Sequence, residues 1–411
     1  MLSINPFAAA ERLKGIVKKT PLEYNQRLSE RYQCEIYLKR EDLQIVRSYK
    51  IRGAYNLISA LSKEDAKNGV VCASAGNHAQ GVAYSCQHLN IKGVIFMPAP
   101  TPKQKISQTY MFGKDKVEII LTGDTFDDCQ QEALAYAKKH DMIFVPPFDN
   151  AAIIEGQSTV GVEILQDLPG VDFVIAPIGG GGLISGISLY LKNNKPQIFI
   201  AGVEPTEAAS MKAALTADKP VALDKISKFV DGAAVKKVGQ LNFETCKELV
   251  DDISNVPEGK VCTTILRLYN EDAIVVEPAG ALSITALDNY KEQIKGKKVV
   301  CIISGGNNDI DRMGEIKERS LLYEGLKHYF IVRFPQRPGA LKLFVNKVLG
   351  PDDDITRFEF IKKTEKERGP ALVGIELKDA KDYASLAERM THYGFDFKEI
   401  NQDETLFEYF I

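Results

Sequence analysis

The sequence predicts an α/β protein with parallel sheets, followed by a smaller ferredoxin-like α+β domain. Over residues 1–320, short apolar runs that end in Gly or Pro alternate with helical segments of about 10–15 residues. This alternation is typical of parallel sheets that are covered by helices on both faces. After about Arg319 the predicted order of elements changes to β-α-β-β-α-β, which is the ferredoxin-like arrangement.

The first region contains a regular series of predicted elements. Strands are predicted at residues 35–41, 70–74, 93–98, 116–123, 142–147, 172–179, 197–205, 273–280 and 297–307. Helices are predicted at residues 49–69, 76–90, 101–113 and 125–141. Ligands of parallel sheets bind at the carboxyl ends of the strands. We therefore expect five loops to share one rim and form a pocket: SAGNH, PIGGGG, VEP, EPAG and SGGN.

Composition and charge argue against several classes of protein. The chain has 411 residues, of which 45% are hydrophobic and 26% charged, and its formal net charge is −3. These values are ordinary for a globular protein and favour neither a nucleic acid nor a membrane surface as partner. No run approaches the ~18 apolar residues of a membrane span. The beginning of the chain lacks the pattern of a secretory signal.

Cysteine and histidine usage points to a reduced, metal-free protein. The seven cysteines are scattered and include no C-x-x-C pair. This distribution favours buried thiols and a cytoplasmic location. The five histidines show no spacing typical of metal ligands.

Four consecutive glycines, Gly179 to Gly182, stand between an apolar strand and a helix. Gly costs roughly 0.5–1 kcal/mol relative to Ala within regular structure, so four together indicate more than a flexible turn. Backbone N–H groups without Cβ atoms, placed at a helix N-terminus, can enclose a phosphate. Neither the dinucleotide motif G-x-G-x-x-G nor the Walker pattern fits this segment, which leaves a monophosphate.

Lys50 is the candidate reactive amine. It lies at the start of a predicted helix, where the helix dipole favours the neutral form of a lysine. A neutral amine can form a Schiff base with an aldehyde. A phosphate site, a Schiff-base lysine and the absence of a nucleotide motif point together to pyridoxal phosphate.

Four motifs, in order along the chain, resemble those of the fold type II pyridoxal-phosphate enzymes, the tryptophan synthase β-like group. They are SYKIRGA at 48–54, SAGNHAQGVA at 74–83, GGGGL at 179–183 and SGGN at 304–307. Within that group, the sequence is similar to the biosynthetic threonine dehydratases, also called threonine deaminases. The resemblance implies a catalytic domain over residues 1–320 with two parallel-sheet subdomains, the smaller at about 45–150.

The resemblance also assigns the residues that bind pyridoxal phosphate. Lys50 matches the lysine that bonds to the cofactor and acts as the catalytic base. Tyr49 matches the aromatic residue against the pyridine ring, and Asn77 the residue that hydrogen-bonds the 3-hydroxyl. The phosphate cradle matches Gly179, Gly180, Gly181, Gly182 and Leu183. Glu277 matches the residue near the ring, and Ser304 matches the partner of the pyridine nitrogen.

The same resemblance indicates the reaction. A neutral Ser304 does not force the pyridine nitrogen to stay protonated, which favours β-elimination over transamination. Ser74, Asn77 and His78 are expected to bind the substrate carboxylate. Ala75 stands where serine racemases have a second Ser, so dehydration is favoured over racemisation. Either Lys50 or the cofactor phosphate could protonate the leaving hydroxyl.

Two positions depart from the family pattern. Ser158 replaces a common Gly, a change that we expect to be tolerated. Glu204 and Ala208 fit a cation site seen in relatives, but Ser210 stands where a carboxylate would help. Because hard cations need several oxygen ligands, we predict no metal here.

The C-terminal region, residues 328–411, follows a predicted linker at 321–327. Strands are predicted at 328–335, 355–363, 371–378 and 395–401, helices at 339–349 and 379–394, and a polar hairpin turn at 364–370. Residues 355–363 alternate, so that Ile355, Arg357, Glu359 and Ile361 should share one face. FPQRPGAL at 334–341 resembles the first loop of ACT-like regulatory domains, which bind amino acids at pairwise interfaces. A purely dimerising domain is the alternative.

The combined features imply a threonine ammonia-lyase that converts L-threonine to 2-oxobutanoate and ammonia in isoleucine biosynthesis. Isoleucine is the expected inhibitor and valine a possible antagonist, both at the C-terminal domain. ACT-like domains usually pair, so we expect a homo-oligomer, a dimer or a tetramer. An L-serine dehydratase is one alternative, because one methyl group is worth only ~1–3 kcal/mol in a pocket. A non-catalytic amino-acid sensor is the other, although the intact set of residues around Lys50 argues against it.

Overall fold

The computed structural model of the chain describes residues 2–360, 362 and 367–403. The chain divides into two compact units. The first comprises Met1–Glu258 and Leu268–Asn308, and the second comprises Gly259–Arg267 and Asp309–Ile411. The predicted domain boundary at 320 and the linker at 321–327 stay predictions.

The helices of the described residues, named in chain order, have the following bounds. They are α1 Pro6–Leu13, α2 Gln26–Tyr32, α3 Lys50–Ser59, α4 Lys63–Ala66, α5 Asn77–Leu89, α6 Lys103–Gly113, α7 Phe126–Lys139, α8 Ala151–Asp167, α9 Gly182–Asn194, α10 Ser210–Ala217, α11 Gln240–Leu249, α12 Glu258–Asp272, α13 Pro278–Thr285, α14 Met313–Tyr323, α15 Ala340–Lys347 and α16 Asp382–His392.

The strands of the described residues are named in the same way. They are β1 Leu22–Tyr24, β2 Glu35–Arg40, β3 Val70–Ala73, β4 Gly93–Met97, β5 Val117–Leu121, β6 Ile143–Phe144, β7 Phe173–Pro177, β8 Phe199–Pro205, β9 Asp252–Val256, β10 Lys298–Ile303, β11 Lys327–Pro335, β12 Asp354–Phe360, β13 Arg368–Glu376 and β14 Asp396–Glu399.

The larger sheet of the first unit has six strands in the order β1-β2-β10-β7-β8-β9. All neighbouring pairs are parallel except β1 with β2, which is antiparallel. Strand β7 is buried along its whole length, as expected for a central parallel strand covered on both faces. Its apolar residues and those of α9 form one core with the neighbouring strands.

The smaller sheet of the first unit has four parallel strands in the order β5-β4-β3-β6. Strands β3 and β4 are fully buried. One face of this sheet packs against α3 and α5, and the other against α7. The two sheets confirm the predicted α/β architecture with a smaller parallel subdomain.

The second unit contains an antiparallel sheet in the order β12-β13-β11-β14. With α15 and α16, this gives the predicted β-α-β-β-α-β succession. The predicted strict alternation in β12 is wrong, because the register shifts between Ile355 and Arg357. Ile355 and Phe358 therefore both pack against the core. Ile361 and residues 364–366 of the predicted hairpin turn lie outside the described residues, and residues 368–370, predicted as part of that turn, belong to β13.

Three other predictions of secondary structure are corrected. The helix predicted over 49–69 is two helices, because Ser62 Oγ accepts the Asp65 N–H at 3.1 Å and starts α4. Residues 273–277 form no strand, although the apolar alternation suggested one. Strands β1 and β9 were not expected.

No helix among the described residues is both long and apolar enough to cross a membrane.

Candidate active site

Lys50 is the first residue of α3 and lies beside the carboxyl end of β10. The Tyr49 N–H donates to the Ser304 carbonyl at 3.1 Å, and Ser48 forms an isolated β-bridge with Gly305. These backbone contacts bring together Lys50, Tyr49 and Ser304, three of the predicted cofactor residues.

The Lys50 side chain is partly buried, and its amine lies in a mostly apolar setting. Its Nζ donates to the Pro147 carbonyl at 2.7 Å. It also lies 5.4 Å from the centroid of the Tyr49 ring and 6.0 Å from that of Phe148. Burial lowers the pKa of Lys50 to about 8, against the opposing charge of Glu277. About a tenth of the amine is therefore neutral at pH 7, far more than for a lysine of ordinary pKa.

Asn77, Glu277 and Asn307 form a hydrogen-bonded chain. Asn77 Nδ2 donates to Glu277 Oε1 at 2.7 Å, and Asn307 Nδ2 donates to Asn77 Oδ1 at 2.6 Å. Burial raises the pKa of Glu277 to about 7, the nearby Asp231 raises it further, and the bond from Asn77 lowers it. The three side chains join the SAGNH, EPAG and SGGN loops, which are distant in sequence.

Gly179, Gly180 and Gly181 precede α9 and Gly182 is its first residue, and a Cβ on any of the four would be crowded. Gly181, with φ of +94°, occupies a backbone conformation that L-residues rarely adopt. A Cβ on Gly180 would lie 2.2 Å from the Phe148 ring, and one on Gly179 would lie 3.0 Å from Ala233 Cα. The Leu183 side chain is buried in the core of the larger sheet, which leaves its backbone N–H as the group that could face a ligand.

These residues fit pyridoxal phosphate. The glycine loop leads into the N-terminus of α9, where N–H groups and the helix dipole favour a phosphate. Lys50 offers a partly buried amine of lowered pKa for bonding to an aldehyde. Lys50, Asn77, Ser304 and the loop from Gly179 to Leu183 are the residues that would hold the cofactor.

Ser74 and His78 occupy the same loop as Asn77. Ser74 Oγ accepts the Gly76 N–H at 3.2 Å. The ring of His78 is buried, with Nε2 2.9 Å from the Val145 carbonyl. Burial lowers the pKa of His78 to about 3, helped by the Lys50 charge and opposed by the Val145 contact. His78 is therefore a neutral ring that fixes the loop to the end of β6, and its role toward a substrate stays a prediction.

The segment 147–150 was missed in the sequence. Beyond the contacts of Pro147 and Phe148 already described, Asp149 accepts the N–H groups of Gln240 and Leu241 at 2.9 and 3.0 Å. Asn150 caps α8 through its side chain. The double proline after an apolar strand marks a turn at the carboxyl end of that strand, and this signal could have identified the segment.

A buried ionic cluster behind Lys50 was also missed. Arg52 Nη2 lies 2.8 Å from Glu41 Oε1, and Arg52 Nη1 lies 2.6 Å from Glu163 Oε1. Lys39 Nζ lies 2.5 Å from Glu163. Arg52, Glu41 and Lys39 are at most 1% exposed, so the cluster fixes α3 to the larger sheet from the side opposite the amine. An arginine two residues after the reactive lysine, in an otherwise apolar helix, is the sequence signal.

Glu204, the candidate cation ligand, caps a helix. Its carboxylate accepts the N–H groups of Met211 and Lys212 at 2.7 and 2.9 Å, in the first turn of α10. Burial raises the pKa of Glu204 to about 7, and these two bonds oppose that shift. Among residues 2–360, 362 and 367–403, no group of His, Cys, Asp and Glu side chains is arranged to hold a metal ion.

Comparison with known proteins agrees with this geometry. Residues 13–305 match the family of pyridoxal-phosphate dependent enzymes, and residues 318–410 match the C-terminal regulatory domain of threonine dehydratase. The chain is 59% identical over 404 residues to L-threonine dehydratase biosynthetic IlvA of Halalkalibacterium halodurans, covering 98% of this chain and 97% of the relative. The Bacillus subtilis protein of the same name is also 59% identical over 404 residues, covering 98% and 96%.

Two solved structures show the same fold. The processed form of threonine deaminase isoform 2 from Solanum lycopersicum superposes with a TM-score of 0.72 and 38% identity, covering 78% of this chain and 97% of that one. Maize serine racemase superposes with a TM-score of 0.72 and 29% identity, covering 77% and 97%. The chain belongs to the pyridoxal-phosphate dependent enzymes and, among them, to the biosynthetic threonine dehydratases.

Proposed function

We propose that the protein is a threonine ammonia-lyase, which converts L-threonine to 2-oxobutanoate and ammonia as the first step of isoleucine biosynthesis. The observation that carries this proposal is the partly buried Lys50 amine, which lies at the start of α3 with its pKa lowered to about 8. The glycine loop before α9 supplies the phosphate site that the same chemistry requires.

Pyridoxal phosphate, when bound, supplies an electron sink for the negative charge that develops at the substrate Cα. Lys50 is the base that removes the Cα proton, because its amine is partly neutral near neutral pH. The Pro147 carbonyl, 2.7 Å from Nζ, then accepts a hydrogen bond from the protonated amine and keeps it oriented. The Tyr49 and Phe148 rings exclude water from one side of the same amine.

Asn77 is oriented by its two neighbours. Its Oδ1 accepts from Asn307, and one of its two Nδ2 hydrogens is donated to Glu277. The second Nδ2 hydrogen is left to bind the cofactor's 3-hydroxyl, the role that the family resemblance gives to this residue. Ser304, 2% exposed, lies next to the Lys50 loop and would face the pyridine nitrogen.

The substrate side of the site favours elimination. The Ala75 side chain cannot donate a proton. After Lys50 removes the Cα proton, no acid at position 75 can therefore protonate Cα from the opposite face. Discrimination between threonine and serine rests on one methyl group, worth ~1–3 kcal/mol. We therefore expect serine to be a slower alternative substrate.

The C-terminal domain is proposed to bind isoleucine as feedback inhibitor, with valine as antagonist, and to pair in a dimer or tetramer. Helix α15 exposes Leu341 and Val345 one turn apart, at 45% and 43%, and an apolar pair of this kind supports contact with a second copy. All seven cysteines are buried free thiols, which supports a cytoplasmic location.

The test is 2-oxobutanoate release from L-threonine by the purified holoenzyme, with and without L-isoleucine. Turnover suppressed by isoleucine supports both the reaction and the regulatory role of the tail. If isoleucine does not change the turnover of threonine, the result supports the proposed reaction and contradicts isoleucine as the effector. A protein inert toward threonine but active on serine would be a serine dehydratase, and one inert toward both would contradict the proposal.

A further inference from the structure

A long irregular segment runs past the candidate site. Residues 219–239, called the strap below, connect α10 to α11 and contain neither helix nor strand. Loops longer than about 12–15 residues without secondary structure are uncommon in compact proteins and usually functional. The strap holds its own shape in part, because the Leu223 N–H donates to the Lys236 carbonyl at 2.9 Å.

The inner side of the strap touches two opposite parts of the site. Ala233 lies against the glycine loop, where a Cβ on Gly179 would meet Ala233 Cα at 3.0 Å. Gly232 lies against the start of α13, where its own Cβ would be 2.8 Å from Ala279 Cβ and 3.3 Å from Glu277 Oε1. The strap therefore spans from the phosphate cradle to the Glu277 carboxyl.

The outer side of the strap is held by helices of the smaller sheet. Lys105 Nζ, on α6, lies 2.6 Å from Asp231 Oδ2. Lys236 Nζ lies 3.8 Å from Asp127 Oδ2, on α7. Because the strap follows α10 of the larger-sheet side, these pairs connect the two sheet-bearing halves of the first unit.

The Lys105–Asp231 pair is also close enough to act on the site electrostatically. Asp231 raises the pKa of the buried Glu277, and Lys105 lowers it. The two charges act on the Glu277 carboxyl in opposite directions while they lie together. Separating them would leave a carboxylate beside Glu277, which is itself close to Asn77.

We propose that the Lys105–Asp231 ion pair is a latch that holds the strap against the candidate site, which makes both side chains positioning residues for the reaction. The latch keeps Gly232 against Glu277 and Ala233 against the glycine loop. The latch controls access to the site. It rests on the proposed function only in the test that measures threonine turnover.

Limited trypsin digestion of the holoenzyme tests the latch without using activity. Exposed tryptic sites lie within the strap at Lys225, Lys228, Lys236 and Lys237. In Lys105→Ala and in Asp231→Asn, we expect strap cleavage to be about twofold to fivefold faster, the range for a partly exposed ion pair. Lys103→Ala removes an exposed charge from the same helix, and trypsin should cleave the strap of this variant at the same rate as that of the unmodified protein. The charge swap, Lys105→Asp with Asp231→Lys, should restore slow cleavage at Lys225 and Lys228, and the tryptic site that Asp231→Lys adds is left out of this comparison.

Salt provides a second measurement on the unmodified protein, which also decides the case if a variant fails to fold. Raising ionic strength weakens a solvent-accessible ion pair, so strap cleavage should accelerate in the unmodified protein and accelerate less in Lys105→Ala, which keeps only the Lys236–Asp127 pair. Cleavage of Lys105→Ala at the same rate as Lys103→Ala, or a charge swap that stays as sensitive as the single variants, would overturn the proposal.

Kinetics then separate the latch from the proposed function. With threonine, Lys105→Ala should raise KM by about twofold to fivefold with little change in kcat. A KM equal to that of Lys103→Ala would contradict a role in substrate positioning. If trypsin cleaves the strap slowly but the protein does not convert threonine, the result would support the latch and contradict the proposed function.

Discussion

Asn77 Nδ2 donates a hydrogen bond of 2.7 Å to Oε1 of Glu277, a residue 200 positions further along the chain. This contact joins the first residue of α5, beside the smaller sheet, to the residue that precedes α13, beside the larger sheet. A carboxyl that is 5% exposed thereby orients an amide in the candidate cofactor site.

Replacement of Asn77 by Ala should weaken cofactor binding. The change removes the amide and leaves the buried Glu277 carboxyl without this donor, a loss of about 1–3 kcal/mol. We expect a roughly tenfold to hundredfold higher dissociation constant for pyridoxal phosphate, measured by fluorescence titration of the apoprotein. Asn68→Ala removes an exposed amide that bonds to Asp141 and is the matched control. Equal affinity in the two variants would exclude Asn77 from cofactor binding.

Replacement of Gly180 by Ala should disturb both the loop and its ligand. The new Cβ would lie 2.2 Å from the Phe148 ring, and overpacking of this kind costs about 1–3 kcal/mol. Thermal unfolding should therefore occur at a lower temperature, and the purified protein should retain less cofactor. Gly314→Ala, at a helical position with open space around it, should leave both quantities unchanged or improve stability. A Gly180→Ala protein with normal cofactor content would argue against a phosphate cradle at this loop.

The stability of the apoprotein should depend on pH through Glu277. Its pKa is raised from an ordinary value near 4.5 to about 7 in the folded protein. A group with a raised folded pKa stabilises the fold while it is protonated, and this contribution is lost as pH rises from about 4.5 through about 7. Urea unfolding at several pH values should show this loss in the unmodified protein and a smaller one in Glu277→Gln. The exposed Glu248→Gln is the control, and identical pH dependence in all three proteins would contradict the assignment.

Replacement of Arg52 by Met should be strongly destabilising. The change removes the guanidinium that pairs with the buried Glu41 and leaves Glu163 with Lys39 alone, at a cost of about 3–5 kcal/mol. Arg31 forms a surface pair with Asp288 at 3.7 Å, so Arg31→Met should cost at most about 1 kcal/mol. Urea unfolding of both variants measures the difference. A small effect for Arg52→Met would mean that the cluster does not hold α3 in place.

The sequence was sufficient for those parts of the site that depend on local chain chemistry. Four adjacent glycines and a lysine before an apolar helix are visible along the chain, and the structure places them at helix N-termini. Strands such as β3 and β7 were predictable because every residue in them is buried and apolar or small. Local pattern and local structure agree at these positions.

Other parts depend on partners that are distant in sequence. Arg52 meets Glu163 across 111 positions, and Lys105 meets Asp231 across 126, so no local pattern marks either pair.

Residues 273–277 show why a strand was wrongly predicted. Ile274 and Val276 are buried while Val275 is 52% exposed, which is a true alternation, but the segment has no neighbouring strand to pair with. Strand β9 was missed because only two of its five residues are buried.

The most direct test of the account is to identify the lysine that bonds to pyridoxal phosphate. Borohydride reduction of the holoenzyme fixes the cofactor to that amine, and peptide mass analysis then locates it. The amine of lowered pKa at the start of α3 predicts a label on Lys50 and none on the same peptide of Lys50→Ala. A label on another lysine in the unmodified protein would contradict the central claim.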